Sequence, residues 1–160
     1  MTDLIILDVY GTIVKADEID GIVRPGLIEF LEHYKNKKIV VFTDATPGYA
    51  EETLSHAGIL NKFDKIYDGR DLVYVDEFMI KNLEKVCNEF SIPKSRAVFI
   101  VDNFFARDEK SAKQYGIKFI KIPHFRSKPL EWAEKDYHKE WVDFENSEEP
   151  FNFKDLIGKL

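Results

Sequence analysis

The stretch that most constrains this chain is Leu4-Ile5-Ile6-Leu7-Asp8-Val9-Tyr10-Gly11-Thr12. A short run of consecutive apolar residues that stops at a turn signal fits a strand buried on both faces, as in a parallel sheet. Asp8 then stands at the carboxyl end of that strand, where open α/β sheets place their chemistry. Gly11 allows the sharp turn that must follow.

Two further runs repeat the pattern. Ile39-Val40-Val41-Phe42 ends on Thr43-Asp44, and Ala97-Val98-Phe99-Ile100-Val101 ends on Asp102-Asn103. Between them lie stretches with helical spacing. Leu27, Ile28, Phe30, Leu31 and Tyr34 form one apolar face, after Arg24-Pro25-Gly26 and before the cations Lys35 to Lys38. Pro47 to Ala57 predicts a helix with Thr46 as N-cap and Gly58 as its stop. Asp76 to Phe90 predicts another through Phe78, Met79, Leu83, Val86, Cys87 and Phe90. Asp108 to Tyr115 predicts a short one stopped by Gly116, followed by a strand over Ile117 to Ile122. A short strand is expected within Asp64 to Gly69. Strands that alternate with helices imply a doubly wound, Rossmann-like parallel sheet in one α/β domain. We divide the chain into a core over 1–123 and an aromatic, charged extension over 124–160, with helices expected over Leu130 to Tyr137 and Phe153 to Leu160. The extension holds Phe125, Trp132, Tyr137, Trp141, Phe144, Phe151 and Phe153, expected to pack on the core or on another subunit of a homo-oligomer.

Composition narrows the function. The 160 residues carry a net charge of −6, which argues against a nucleic-acid groove or an anionic membrane as partner. Cys87 is the single cysteine, so a Cys-rich zinc site and an internal disulfide are excluded, and its helical spacing marks it as core. No apolar run approaches the roughly 20 residues of a membrane span, and the amino terminus lacks a basic region. A cytoplasmic location is the default expectation.

The polar strand ends are the candidate site. Asp8, Thr43 and Asp102 lie along one sheet edge, with Asp108 in the following loop and Lys81 in the helix expected before that strand. Carboxylates gathered at one point repel unless a cation sits among them. A hard divalent ion with oxygen ligands, magnesium, suits a site completed by water and phosphate. With magnesium and Lys81, an aspartate can attack a phosphoryl group, a known use of carboxylate nucleophiles.

The order and spacing resemble the haloacid dehalogenase superfamily of hydrolases over about residues 3–123. Asp8-Val9-Tyr10-Gly11-Thr12 is similar to its first motif, Asp-x-Asp-Gly-Thr. Val40-Val41-Phe42-Thr43 is similar to its second, and Val101-Asp102-Asn103 with Asp108 to its fourth. Lys81 is the best placed third-motif lysine, and Lys85 is the alternative. The run Arg107 to Ile117 resembles the helix that follows the fourth motif. The resemblance implies that Asp8 is the nucleophile, with Tyr10, Thr43 and Lys81 in the catalytic set. Thr43 and Lys81 would hold phosphate, with Gly11, Thr12 and Asp44 beside the substrate. Asp8, Asp102, Asn103, Asp108 and the Tyr10 carbonyl would form the Mg2+ shell.

The chain departs from that pattern in three places. Tyr10 stands where family phosphatases carry a second Asp as general acid, a role worth roughly 10²- to 10⁴-fold. Phenol, with an ordinary pKa of about 10, is a poor substitute. The Asp-x-Tyr-Gly-Thr form is similar to that of true dehalogenases, whose leaving halide needs no proton. Only about a dozen residues separate Thr12 from Pro25, and the segment from Thr43 to Lys81 is also short, so neither cap domain of the family fits. Asp44 replaces the usual Asn. The leading expectation is a capless magnesium phosphatase for a phosphorylated substrate, which an uncovered site allows to be macromolecular. The alternatives are a non-catalytic binding module with the same fold and a haloacid dehalogenase. A receiver domain also phosphorylates an Asp, but its acidic pair precedes the acceptor.

Overall fold

A computed structural model describes residues 1–17, 21–104, 106–127, 142–144 and 151–160. The first half of the chain runs β1 (Leu4–Leu7), α1 (Leu27–His33), β2 (Lys38–Phe42), α2 (Tyr49–His56), β3 (Lys65–Tyr67), β4 (Leu72–Val75) and β5 (Phe78–Lys81). The second half runs α3 (Leu83–Glu89), β6 (Ala97–Val101), α4 (Arg107–Tyr115), β7 (Lys118–Lys121), β8 (His124–Arg126) and β9 (Val142–Phe144).

Five parallel strands form the central sheet in the order β3-β2-β1-β6-β7. β1 lies in the middle, with Leu7 opposite both Val41 and Ile100. The chain builds β2 and β3 on one side of it, then returns to build β6 and β7 on the other. The strand order therefore reverses at β1, and a crevice opens at such a switch point, outside the carboxyl ends of the strands. The residue after β1 is Asp8.

The apolar runs alternate between two cores, as a pleated strand requires. Ile5, Leu7, Ile39, Val41, Val98 and Ile100 pack with Leu27, Phe30 and Leu31 of α1 and Leu54 of α2. Leu4, Ile6, Val40, Phe42, Phe99 and Val101 pack on the other face with Leu83, Val86 and Cys87 of α3 and Ala112 of α4. Helices thus cover both faces, as expected for the doubly wound α/β class.

Several expected elements differ. Asp76 to Phe90 is not one helix. β4 and β5 form an antiparallel hairpin around Asp76 and Glu77, whose φ of 47° and 69° are the two positive values of a type I′ turn. The helix begins only after Asn82, whose side-chain oxygen accepts from the Lys85 N–H. Lys81 consequently ends a strand rather than sitting in a helix. The helix expected from Pro47 starts at Tyr49, because Gly48 at φ 86° breaks the backbone before it. Phe153 to Leu160 carries only a single 3₁₀ turn at Phe153–Leu156, which packs on α1 with Phe153 fully buried. The helix expected over 130–137, together with Trp132, Tyr137 and Trp141, lies outside the described residues.

Candidate active site

Asp8 emerges at the switch point with its carboxylate held from two sides. Lys81 Nζ lies 2.9 Å from Asp8 Oδ1 and 3.0 Å from Asp108 Oδ1. The hairpin delivers that ammonium from the end of β5, and the Lys81 N–H donates to Ser111 Oγ on α4. The ammonium also sits 5.4 Å from the centre of the Phe99 ring, a favourable face for a cation. On the other side, the Thr12 hydroxyl donates to Asp8 Oδ2 and accepts from the backbone N–H of Asp102, both at 3.1 Å. Thr12 is fully buried, so it ties the ends of β1 and β6 together and fixes the carboxylate of Asp8.

These groups open on a cavity of about 180 Å³, whose lining includes Asp8, Tyr10, Lys81, Asp102, Asp108 and His124. A larger cleft of about 320 Å³ lies at the opposite ends of β2 and β3, around Lys35, Lys37 and Asp64. Its lining shares no residue with the acidic cluster of Asp8, Asp102 and Asp108.

The structure brings together only part of the expected set. Lys85 pairs with Asp71 and Glu89, away from Asp8, so Lys81 alone of the two reaches the cluster. Thr43 is buried and its Oγ1 accepts from the Ala45 N–H in a local turn. Asp44 reaches the cavity and pairs with Arg107 at 3.0 Å. Asn103, at φ 54°, spends its side chain on Glu109 in the first turn of α4. The Tyr10 ring lines the cavity, but its hydroxyl is 2.7 Å from Thr53 Oγ1 on α2.

Two residues that the sequence reading passed over hold the site. His124 Nδ1 lies 2.5 Å from Asp102 Oδ2, with both side chains buried. Arg24 is buried behind the first motif, and its Nη1 donates to the carbonyls of Gly11, Thr12 and Pro123. Arg24 also lies between the rings of Phe125 and Phe151. A buried Arg must be paired, but sequence spacing does not say that position 24 is buried.

The electrostatics follow from burial. Desolvation pushes the Asp8 carboxyl up, Lys81 opposes it, and Asp108 and Asp102 add to it, leaving a pKa of about 8. Asp108 is raised for the same leading reason. For Lys81, burial favours the neutral amine, but Asp108 and Asp8 outweigh it and hold the ammonium above its ordinary value. Lys81 thus holds Asp8 and Asp108, while Asp102 is bonded to His124, and ligand oxygens of the three carboxylates lie within 4.8 Å of one another. Hard oxygen donors, in excess over the local positive charge, fit a divalent ion such as Mg2+.

Comparison with known proteins places the fold. A hydrolase of the haloacid dehalogenase-like family from Streptococcus pneumoniae superposes with a TM-score of 0.62 at 15% identity, over 78% of this chain and 87% of that one. The L-2-haloacid dehalogenase from Xanthobacter autotrophicus gives 0.61 at 12%, over 76% and 78%. The N-terminal part of a Bacteroides fragilis protein, containing a phosphatase domain complexed with Mg, gives 0.58 at 19%, over 76% and 36%. No curated protein matches the chain significantly. The fold is that of the haloacid dehalogenase superfamily of hydrolases. Within it, the family model of NLI interacting factor-like phosphatases matches residues 4–140, and the chain belongs to that family.

Proposed function

We propose that this chain is a magnesium-dependent phosphohydrolase that works through an aspartyl-phosphate on Asp8. The observation that carries the reading is the buried Asp8–Lys81–Asp108 arrangement at the switch point of the sheet. Family membership and the Mg in the Bacteroides fragilis neighbour support it. Asp8, Asp102 and Asp108, with the Tyr10 carbonyl, would hold Mg2+, which would supply positive charge against the phosphoryl oxygens. Lys81 keeps Asp8 oriented and lowers the repulsion between carboxylate and phosphate. An Asp8 oxygen attacks phosphorus, and the leaving oxygen departs with the bonding electron pair. Water then opens the acyl phosphate, which restores Asp8 and releases inorganic phosphate.

Tyr10 shapes the substrate range. Its hydroxyl faces Thr53, and phenol is a weak acid, so departure goes without proton donation. Phosphates with good leaving groups, including acyl phosphates, are therefore cleaved far better than alkyl phosphates. We read the core as lacking a separate cap, which leaves the cavity open to phosphorylated groups on larger molecules.

The test is hydrolysis of p-nitrophenyl phosphate and acetyl phosphate, with and without Mg2+, by wild type and Asp8→Asn. Magnesium-dependent turnover that vanishes in Asp8→Asn is expected, and Tyr10→Asp should narrow the gap between aryl and alkyl phosphates. Turnover equal to the Asp8→Asn background would favour a second reading, a binding module that keeps the fold. Tyr10, tied to α2 rather than poised as an acid, is the observation behind that reading. Halide release from a 2-haloacid without metal tests dehalogenation directly, and we expect none.

A further inference from the structure

We propose that His124 is a positioning residue that holds Asp102 as a cation ligand, so that its ring N–H sets the affinity of the acidic cluster for Mg2+. The inference rests on the magnesium reading above and adds a residue to it.

The backbone delivers His124 to the site. The N–H of the next residue, Phe125, donates to the Gly11 carbonyl at 2.8 Å, and its carbonyl accepts from the Ala16 N–H at 2.9 Å. β8 is thereby fastened to the loop that carries the first motif. The imidazole is clamped in turn, because the Phe104 ring lies over it with centroids 4.3 Å apart.

The tautomer follows from the partners. Arg126 Nη1 lies 3.3 Å from His124 Nε2, and a guanidinium can only donate, so Nε2 accepts. The ring proton therefore sits on Nδ1 and is donated to Asp102 Oδ2. One oxygen of Asp102 is thus committed to His124, and the carboxylate cannot rotate freely. The Asp102 N–H is fixed separately by Thr12. Gly11 leaves room for the contact: at φ 81°, a Cβ there would collide with both Asp102 Oδ2 and His124 Nδ1. The space beside Asp102 is shaped for an imidazole. Partners that orient ligand groups in this way typically carry about 10- to 100-fold in metal affinity.

The experiment is calorimetric titration of Mg2+ into the 160-residue chain and three variants. His124→Phe keeps a ring against Phe104 but loses the donor. His124→Asn places an amide nitrogen near Nδ1 and keeps it. His124→Gln places its amide near Nε2 and loses the contact with Asp102. Weakening of about 10- to 100-fold is expected in His124→Phe and His124→Gln, with His124→Asn within about threefold of wild type. If His124→Phe does not fold, the comparison of the Asn and Gln variants decides. Affinity that is equal in wild type and the donor-less variants would overturn the inference and leave the magnesium reading intact. Equal weakness in the Asn and Gln variants would overturn it too, because the donor would then not matter. A wild type that binds no Mg2+ would overturn both.

Discussion

At the scale of the residue, the site is a conflict between burial and charge. Asp8 takes its proton at a pH near 8 when folded, against an ordinary value of 3.8. A folded pKa above the unfolded one means that the native state binds the extra proton, so the stability contributed by Asp8 is greatest below about pH 4 and is lost as pH rises toward 8. The slope from this group is at most about 1.4 kcal/mol per pH unit. Lys81 does not oppose it in that window, since its ordinary value of 10.5 is itself raised. Thermal midpoints measured from pH 4 to 8 in chelator should therefore fall in wild type relative to Asp8→Asn as pH rises, with the carboxylates held low, Asp68 and Glu89 among them, common to both. Added Mg2+ should flatten the wild-type curve, because a cation stabilises the ionised carboxylates. Gly11 gives a second prediction. Gly11→Ala combines a positive φ with collision against Asp102 and His124, whereas Gly48→Ala has a similar φ and nothing within 4 Å of its Cβ. The first should cost about 1–3 kcal/mol more than the second in urea denaturation, and equal costs would show that the crowding at Gly11 is relieved without strain.

At the scale of the element, the hairpin of β4 and β5 is what carries Lys81 to Asp8. Its turn uses Asp76 and Glu77 at positive φ, a conformation that Asn-Gly adopts with less strain. Asp76→Asn with Glu77→Gly should stabilise the chain by about 0.5–1 kcal/mol, read as a rise in the urea midpoint at unchanged slope. A loss of stability would mean that the two side chains contribute more than the backbone strain costs. This hairpin was also the element least legible in the sequence. Phe78, Met79, Leu83, Val86 and Cys87 match helical spacing, and the turn lacks the glycine that marks most two-residue hairpins. The informative signal was Asn82, an N-cap set in the middle of the expected helix.

At the scale of the whole molecule, the carboxyl-terminal residues close the core that the sheet leaves open. Phe153 is fully buried with its ring 5.2 Å from that of Phe30, its N–H donates to the Pro25 carbonyl, and Tyr34 bonds to Leu156 and Gly158. Phe153→Ala should cost about 3–5 kcal/mol by chemical denaturation. Because Arg24 stacks on Phe151 and holds the carbonyls of Gly11 and Thr12, loosening this region is also expected to reduce turnover at Asp8. A variant that is destabilised yet fully active under native conditions would separate the two. Among the described residues, no helix is long and apolar enough to cross a membrane.

The sequence by itself determined the α/β class, the strands that end on Asp8, Thr43 and Asp102, and the helix near Asp108, although Asp108 stands in the first turn of α4 and not in the loop before it. These depend on local signals: consecutive apolar residues, capping glycines and a fixed spacing of polar groups. It did not determine that Thr43 and Asn103 turn to their own neighbours, that Tyr10 reaches α2, or that His124 and Arg24 brace the motif loop. Apart from the local turns at Thr43 and Asn103, residues far apart in the chain make those contacts, since Tyr10 lies 43 positions from Thr53, His124 lies 22 from Asp102 and Arg24 lies 99 from Pro123. Which polar groups are buried together, and therefore must find each other, is decided only when the sheet has closed and water has been excluded.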